Sequence, residues 1–339
     1  MNSEITTQKE TEIEFPETLV DAVKYFADAD RALAFMVSLR WKDGKITCPH
    51  CQSEAVSFLK TRRIWKCMGC HKQFSAKVGT IFCDSPIGYD KWFPAMWMIF
   101  NAKNGISSCE LHRALGVTQK TAWFMLHRIR LCMQNGSVMK MGGDGGIVEA
   151  DETFIGGKAR NMHFDKRQAT IKSRGVSGKA AVHGLLDRKG KGCSKVIARV
   201  VKNTTKATLQ GNVRQYVLKG TEVMTDSTKS YDYLGKDGDY EHRVVDHAIT
   251  YVNGHIHTNG LENFWSLLKR AIKGTYVSVE PFHLFRYLDE QAFRFNERKN
   301  EDGDKGRFLE GVKGVIGRGL KYVDLIGKGG DDLRQAGAR

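Results

Sequence analysis

The chain is 339 residues long with a formal net charge of +15 and a pI of about 9.4, so it is large enough for a sizeable core plus accessory modules. The charge favours a polyanionic partner, nucleic acid above all. The first twelve residues are polar and charged, and the longest apolar run, residues 92–100, is nine residues with a proline inside. That pattern excludes a membrane-spanning helix and predicts a cytosolic protein without a membrane partner.

In such a compartment the eight cysteines are expected as thiols or metal ligands rather than disulfides. Residues 1–40 hold eight acidic and four basic side chains, net −4, so the rest of the chain carries +19. This acidic segment is expected to begin disordered and to form one or two amphipathic helices over residues 17–40, with Leu33, Met36, Val37 and Leu39 facing a partner.

Residues 41–82 read as a zinc ribbon. Cys48 and Cys51 are followed, after fifteen residues, by Cys67 and Cys70. Two such knuckles supply four thiolates in a tetrahedron, with a hairpin over residues 55–65 between them, and a site filled by four sulfurs is structural. Cys67 to His71 alone also matches a haem attachment sequence, but that reading needs export and leaves Cys48 and Cys51 unexplained.

Residues 83–135 read as helical. An aromatic-rich helix over residues 87–101 serves as core, then a short helix to Ala114 is broken at Gly116. A second helix opens at Thr118 or Gln119, with Trp123, Leu126 and Ile129 inward. This is the layout of a helix-turn-helix, or of an ordinary helical hairpin. In the first case Gln119, Lys120, His127, Arg128 and Arg130 are available to bases or phosphates.

A short glycine-rich linker leads to residues 145–157, where Ile147, Val148 and Ala150 run into Asp151 and Glu152. A buried strand that presents carboxylates near its end is expensive unless they share a divalent cation. Residues 158–179 carry seven Lys or Arg against a single Asp165. Lys166, Arg167, Lys172 and Arg174 there are candidates for backbone phosphates in a loop ordered by DNA; a solvated loop without a role is the alternative. Two strands, a helix over residues 207–218 and a strand ending on Asp226 follow. The next helix has Leu261, Phe264 or Trp265, Leu268 and Ile272 on its apolar side and Glu262, Ser266, Lys269 and Lys273 opposite. Lys269 lies about 10 Å along the same face from Glu262, so the carboxylate can hold metal while the lysine holds a neighbouring phosphate. A last helix carries Phe285, Leu288, Ala292 and Phe295 inward and Arg286, Arg294 and Arg298 outside; residues 301–339 read as a loose, glycine-rich basic tail.

Strands, helix, strand, then the Glu262 helix is the order of a ribonuclease-H-like fold. The expected fold is therefore multidomain α+β: an N-terminal zinc ribbon and helix-turn-helix followed by an α/β ribonuclease-H-like catalytic domain over residues 145–300. At residues 148–158, 225–227 and 257–270, and in Cys-Pro-His-Cys at residues 48–51, the sequence resembles bacterial insertion-sequence transposases of the ISXO2-like type. The resemblance spans about residues 25–300 and implies a DDE transposase that cuts element ends and joins them to target DNA by in-line phosphodiester displacement. It implies Asp151, Asp226 and Glu262 as ligands of two Mg²⁺ ions, with Mn²⁺ as a substitute, Lys269 as the basic partner, and one structural Zn²⁺. Some relatives carry asparagine at the third acid position, where Asn263 adjoins Glu262; a carboxylate suits a hard cation better than an amide. Double-stranded DNA of the terminal inverted repeats and the target is the implied partner, bound by at least a homodimer in a nucleoid-associated setting. Two alternatives share these motifs: a nuclease that cuts without joining, and a DNA-binding regulator with an inert transposase-derived domain.

Overall fold

A computed structural model describes residues 14–134, 140–157, 159–171, 177–190, 192–245 and 257–327. Helices α1 (Leu19–Ala27) and α2 (Ala29–Arg40) open the chain, separated by Asp28, whose carboxylate accepts from the backbone N–H of Asp30 and Arg31 and so restarts the helix. Strands β1 (Val56–Leu59), β2 (Ile64–Cys67) and β3 (Gln73–Phe74) make the antiparallel ribbon. Helix α3 (Tyr89–Asn101) is apolar on nearly every side and is buried accordingly. It packs with α1 and α2 in an aromatic cluster of Phe26, Phe35, Phe93 and Phe308. Helix α4 (Ser108–Leu115) starts on a Ser107/Glu110 capping box and stops at Gly116, which takes the left-handed φ of 59° that ends a helix without a Cβ clash. Thr118 then caps α5 (Gln119–Cys132).

The second unit begins with β4 (Ile147–Ile155) and α6 (Phe164–Thr170), a helix within the segment expected as a loop; residues 158 and 172–176 lie outside the described residues. Next come β5 (Ala180–Asp187), β6 (Lys195–Val201), α7 (Lys206–Tyr216), β7 (Thr221–Asp226), β8 (Tyr240–Val245), α8 (Asn259–Ala271) and α9 (Leu284–Asn296). The five strands lie in the order β6-β5-β4-β7-β8. The first three form an antiparallel meander, and β7 and β8 join parallel to β4 after the α7 crossover. Val148, Ala150 and Val223 pack on α7 through Leu209 and Val213, while Ile155, Val182 and Leu186 pack on α8 and α9. The strand with the first acid is thus central and covered on both faces, as the ribonuclease-H-like order requires.

Two expectations are corrected. The segment after Asn300 is not a loose tail as far as residue 327: helix α10 (Gly303–Val312) and the short α11 (Tyr322–Leu325) pack back on the N-terminal unit, with Phe308 and Val315 at 0% exposure. Its glycines masked an apolar series, Phe308, Val312 and Val315, spaced by about one helical turn. Arg286 and Arg294 are not on an outer face of α9 either, being 2% and 7% exposed. Helix α9 is packed on two sides. One face packs on β6, and the other meets α5, where Arg130 donates to Glu290 at 2.6 Å and Arg294 and the Tyr276 hydroxyl donate to the same carboxylate.

Because Phe308 sits at the centre of the aromatic cluster, Phe308→Ala should lower unfolding free energy by about 3–5 kcal/mol in a denaturant titration. A loss within the few tenths typical of a surface site would show that the C-terminal segment does not belong to the core.

Candidate active site and metal centre

Parallel pairing of β4 and β7 matches Glu149 with Met224. Asp151 and Asp226 each lie two residues further on, hence side by side on one face where the two strands part. Both are oriented. Asp151 accepts from the Glu152 backbone N–H at 2.8 Å and from the Trp265 indole at 2.9 Å; Asp226 accepts from the Thr228 N–H at 3.1 Å and hydroxyl at 2.8 Å. Glu262 comes from the first turn of α8, an exposed position.

What places α8 is Glu149, a residue the sequence reading passed over. Its carboxylate, 1% exposed, accepts from the Leu261 N–H at 2.9 Å and from Arg188 at 2.6 Å. Thr258 stands at the N-cap position but makes no side-chain cap bond; a strand carboxylate caps this helix through space. Gly260 is required there, since a Cβ would lie 2.9 Å from both Glu149 oxygens. Arg188 also bonds the ring and carbonyl of His257, which makes His257 part of the same clamp. The signal was present in the alternation Glu149-x-Asp151, which puts both acids on one face of the strand.

Asp151 and Glu262 open onto a groove of about 600 Å³ lined also by Glu152, Thr153, Trp265, Ser266, Lys269, Arg270 and Lys273; Asp226, beside Asp151, lies outside that lining. Glu262 and Lys269 share its wall, and Arg270 and Lys273 extend the cationic end. Glu152 turns to the α7 side of β4 and accepts from the buried Tyr231 hydroxyl, which itself pairs with His183 at 3.1 Å. Burial raises Asp151 to about 6, with the charges of Asp226 and Glu262 adding to it, and raises Glu152 to about 7. Such a cluster fits a hard divalent cation: oxygen donors from three elements repel one another until a positive charge joins them.

The four cysteines form a different kind of site. Their sulfurs all lie within 4.8 Å of one another, the one such group of three or more possible ligands among the described residues, so the acids do not close on a common point. Cys48 and Cys70 are 3.7 Å apart and Cys51 and Cys67 3.5 Å. A Zn–S bond of about 2.3 Å sets tetrahedral sulfurs about 3.8 Å apart, so the donor set and its size fit zinc. Neither His50 nor His71 joins the group.

The expected DNA contacts divide. Gln119 and Lys120 are exposed on the first turn of α5, and Arg167 is exposed on α6. Lys166 is also on α6, while Lys172 and Arg174 lie outside the described residues. Arg128 and Arg130 are corrected: Arg128 donates to the carbonyls of Ile81, Cys83 and Leu320, and Arg130 is spent on Glu290. His127 is buried too. The second half of α5 is core, so only its N-terminal turn faces outward.

A family model described as an ISXO2-like transposase domain matches residues 144–296, and one described as a transposase zinc-ribbon domain matches residues 27–73. The chain is 33% identical to an uncharacterized transposase-like protein of Haemophilus influenzae over 102 residues, 30% of this chain and 81% of that protein. The chain belongs to the ISXO2-like transposase family. This transposase is also 28% identical over 276 residues to an uncharacterized protein in the transposable element ISH50 of Halobacterium salinarum, covering 78% of its own length and 90% of the relative.

Two measurements follow for the transposase. Cys67→Ser should lower bound zinc from one ion per chain to none by elemental analysis; unchanged zinc would contradict the four-sulfur site. Asp151 and Glu152 titrate higher folded than unfolded, so between about pH 4 and 7 the folded chain binds more protons and stability falls as pH rises. In chelator the melting temperature should therefore drop from pH 5 to pH 8, and Mg²⁺ should restore it at pH 8 but not at pH 5. A melting temperature indifferent to Mg²⁺ at pH 8 would count against the cation site.

Proposed function

We propose that this chain cuts the DNA ends of an insertion sequence and joins them to target DNA by two in-line phosphodiester displacements at the acid groove. The observation that carries the reading is the proximity of Asp151, Asp226 and Glu262, from β4, β7 and α8, near enough for the charges of the other two to act on Asp151, beside a groove that Asp151 and Glu262 line together with Lys269, Arg270 and Lys273. These three carboxylates would hold the divalent cations. When bound, two Mg²⁺ or Mn²⁺ ions would supply charge neutralisation, a more acidic water and Lewis acidity at the phosphate. Glu262 is favoured over Asn263 as the third ligand because Glu262 lines the groove and Asn263 does not.

The chain's own residues then have defined tasks. Trp265 and the Glu152 N–H fix the two oxygens of Asp151, and Thr228 fixes those of Asp226, so neither carboxylate has to reorganise when DNA arrives. Lys269 holds a phosphate of the same strand beside the scissile one. No protein side chain acts as nucleophile: water attacks first, and the freed 3′-hydroxyl of the DNA attacks the target. Gln119 and Lys120 dock the element end through the outward turn of α5. Joining two ends needs two active sites, so the working form is at least a dimer on double-stranded DNA.

The test incubates the full chain and Mg²⁺ with labelled DNA from the flanks of its own gene and a supercoiled plasmid, beside Asp226→Ala. Label should join the plasmid with the intact protein, and the variant should lose joining by more than about a hundredfold, beyond what loss of a supporting residue costs, while still binding the ends. Cleavage without joining would favour a nuclease, and binding without either would favour an inert DNA-binding regulator.

A further inference from the structure

Beyond Asp226 the chain does not leave the site. Ser227 onward forms a turn over the N-terminal half of α7, pinned by two fully buried side chains, Tyr231 and Leu234. Gln210 of α7, 7% exposed, donates to the carbonyls of Ser230 and Asp232 at 3.1 and 3.0 Å, so the backbone on either side is held. Between these anchors Tyr233 projects outward, 64% exposed, the most exposed tyrosine or tryptophan among the described residues.

Two further observations single it out. Its φ is +67°, a left-handed conformation that is uncommon for any side chain and an outlier for a bulky one, yet the position carries an aromatic ring. Two ammonium groups accompany that ring, Lys206 at 4.6 Å and Lys236 at 4.5 Å from its centroid. Of the nearby acids, Asp237 is paired with Arg214 at 2.9 Å. An exposed ring that is bracketed by lysines and set on a braced turn is a nucleic-acid stacking surface in its chemistry: the face takes a base and the ammonium groups take phosphates. An exposed ammonium–ring contact is weaker than base stacking on the same face, so an arriving base can displace a lysine onto a phosphate.

Its location narrows the ligand. Tyr231, whose hydroxyl bonds Glu152 in the groove wall, is two residues away, so the turn that carries Tyr233 is the one that braces the α7 side of the acid strand. Lys269, Arg270 and Lys273 lie on the α8 side of the acids; Tyr233 lies on the α7 side. A base paired within a duplex cannot offer its face, whereas a frayed or cut end can. We propose that Tyr233, with Lys206 and Lys236, is a stacking platform for an unpaired DNA nucleotide on the α7 side of the acid site, away from the strand end that holds the scissile phosphate. The placement relative to a scissile phosphate rests on the groove being the DNA-cutting site; the stacking itself does not.

The test measures binding by the full chain, in Ca²⁺ to withhold chemistry, of a fluorescein-labelled oligo(dT) of about 20 nucleotides and of a duplex of equal length. Tyr233→Asn removes the ring while suiting the left-handed backbone. It should weaken single-strand binding about tenfold with less than about a twofold change for duplex, and Tyr233→Phe should bind as the parent does. The double variant Lys206→Ala, Lys236→Ala should lower the salt slope of single-strand binding by about 1.4, two phosphate contacts' worth. Parent-like binding by Tyr233→Asn, equal weakening of duplex and single strand, or a Tyr233→Phe loss as large as that of Tyr233→Asn would each overturn the platform. The same comparison in an Asp226→Ala background should give the same ratios, so a chain that fails to cut or join still reports on Tyr233. Conversely, a chain that joins ends normally without a Tyr233 effect would sink the platform alone.

Discussion

Glu149 is a carboxylate inside a central strand, and the geometry of the acid groove follows from how its charge is satisfied. Water cannot reach it, so it must take its partners from the protein, and the partners available are Arg188 at the end of β5 and the free N–H groups at the start of α8. The positive end of the α8 dipole favours the same contact. One buried charge thereby ties the strand that bears Asp151 to the helix that bears Glu262, which is the distance a three-acid site has to control. The orientation of Asp151 and Asp226 then rests on hydrogen bonds from protein groups.

A second buried carboxylate does comparable work at the junction of the two units. Glu290 of α9, fully buried, receives Arg130 from α5, Arg294 from its own helix and the hydroxyl of Tyr276 from the π-helical turn Ile272–Tyr276 that follows α8. Arg130 also lies 4.0 Å from the Tyr287 ring centroid. Breaking one member of such a cluster strands the others in a medium that cannot solvate them, which makes the joint stiff. The helix whose first turn faces outward and the turn that follows the Lys269 helix are therefore fastened to the same group. The fully buried Tyr231 does for the β7–β8 side what Glu290 does for the interface, holding Glu152 from behind while Tyr233 stays at the surface.

Much of this was legible in the residues. The Cys-x-x-Cys pairs needed only their spacing, because metal ligation is a local matter of a knuckle repeated once. The strand with Asp151, the strand ending at Asp226 and the polar face of α8 followed from hydrophobic period, since burial imposes a period of two on strands and of about 3.6 on helices. Arg128, Arg130, Arg286 and Arg294 misled for the same reason that the tail did. Composition assigns arginine to solvent and glycine to loops, but a helix packed on two sides buries its charges in pairs, and an apolar series one turn apart makes a helix despite intervening glycines.

The sequence by itself marked most of the elements and the cysteine knuckles and singled out three acids and a lysine as candidates, because each is a property of neighbours along the chain. Only the tertiary structure decided which of the charges are free. Glu149 and Asp151 are two residues apart on one strand face, yet one caps a helix as a buried anchor and the other faces a groove. Arg130 and Lys120 lie on one helix, yet one is buried against Glu290 and the other meets solvent and the Tyr322 ring. Burial is a relation between segments distant in sequence, and it is burial that turns a charged side chain into a structural part or leaves it available for chemistry.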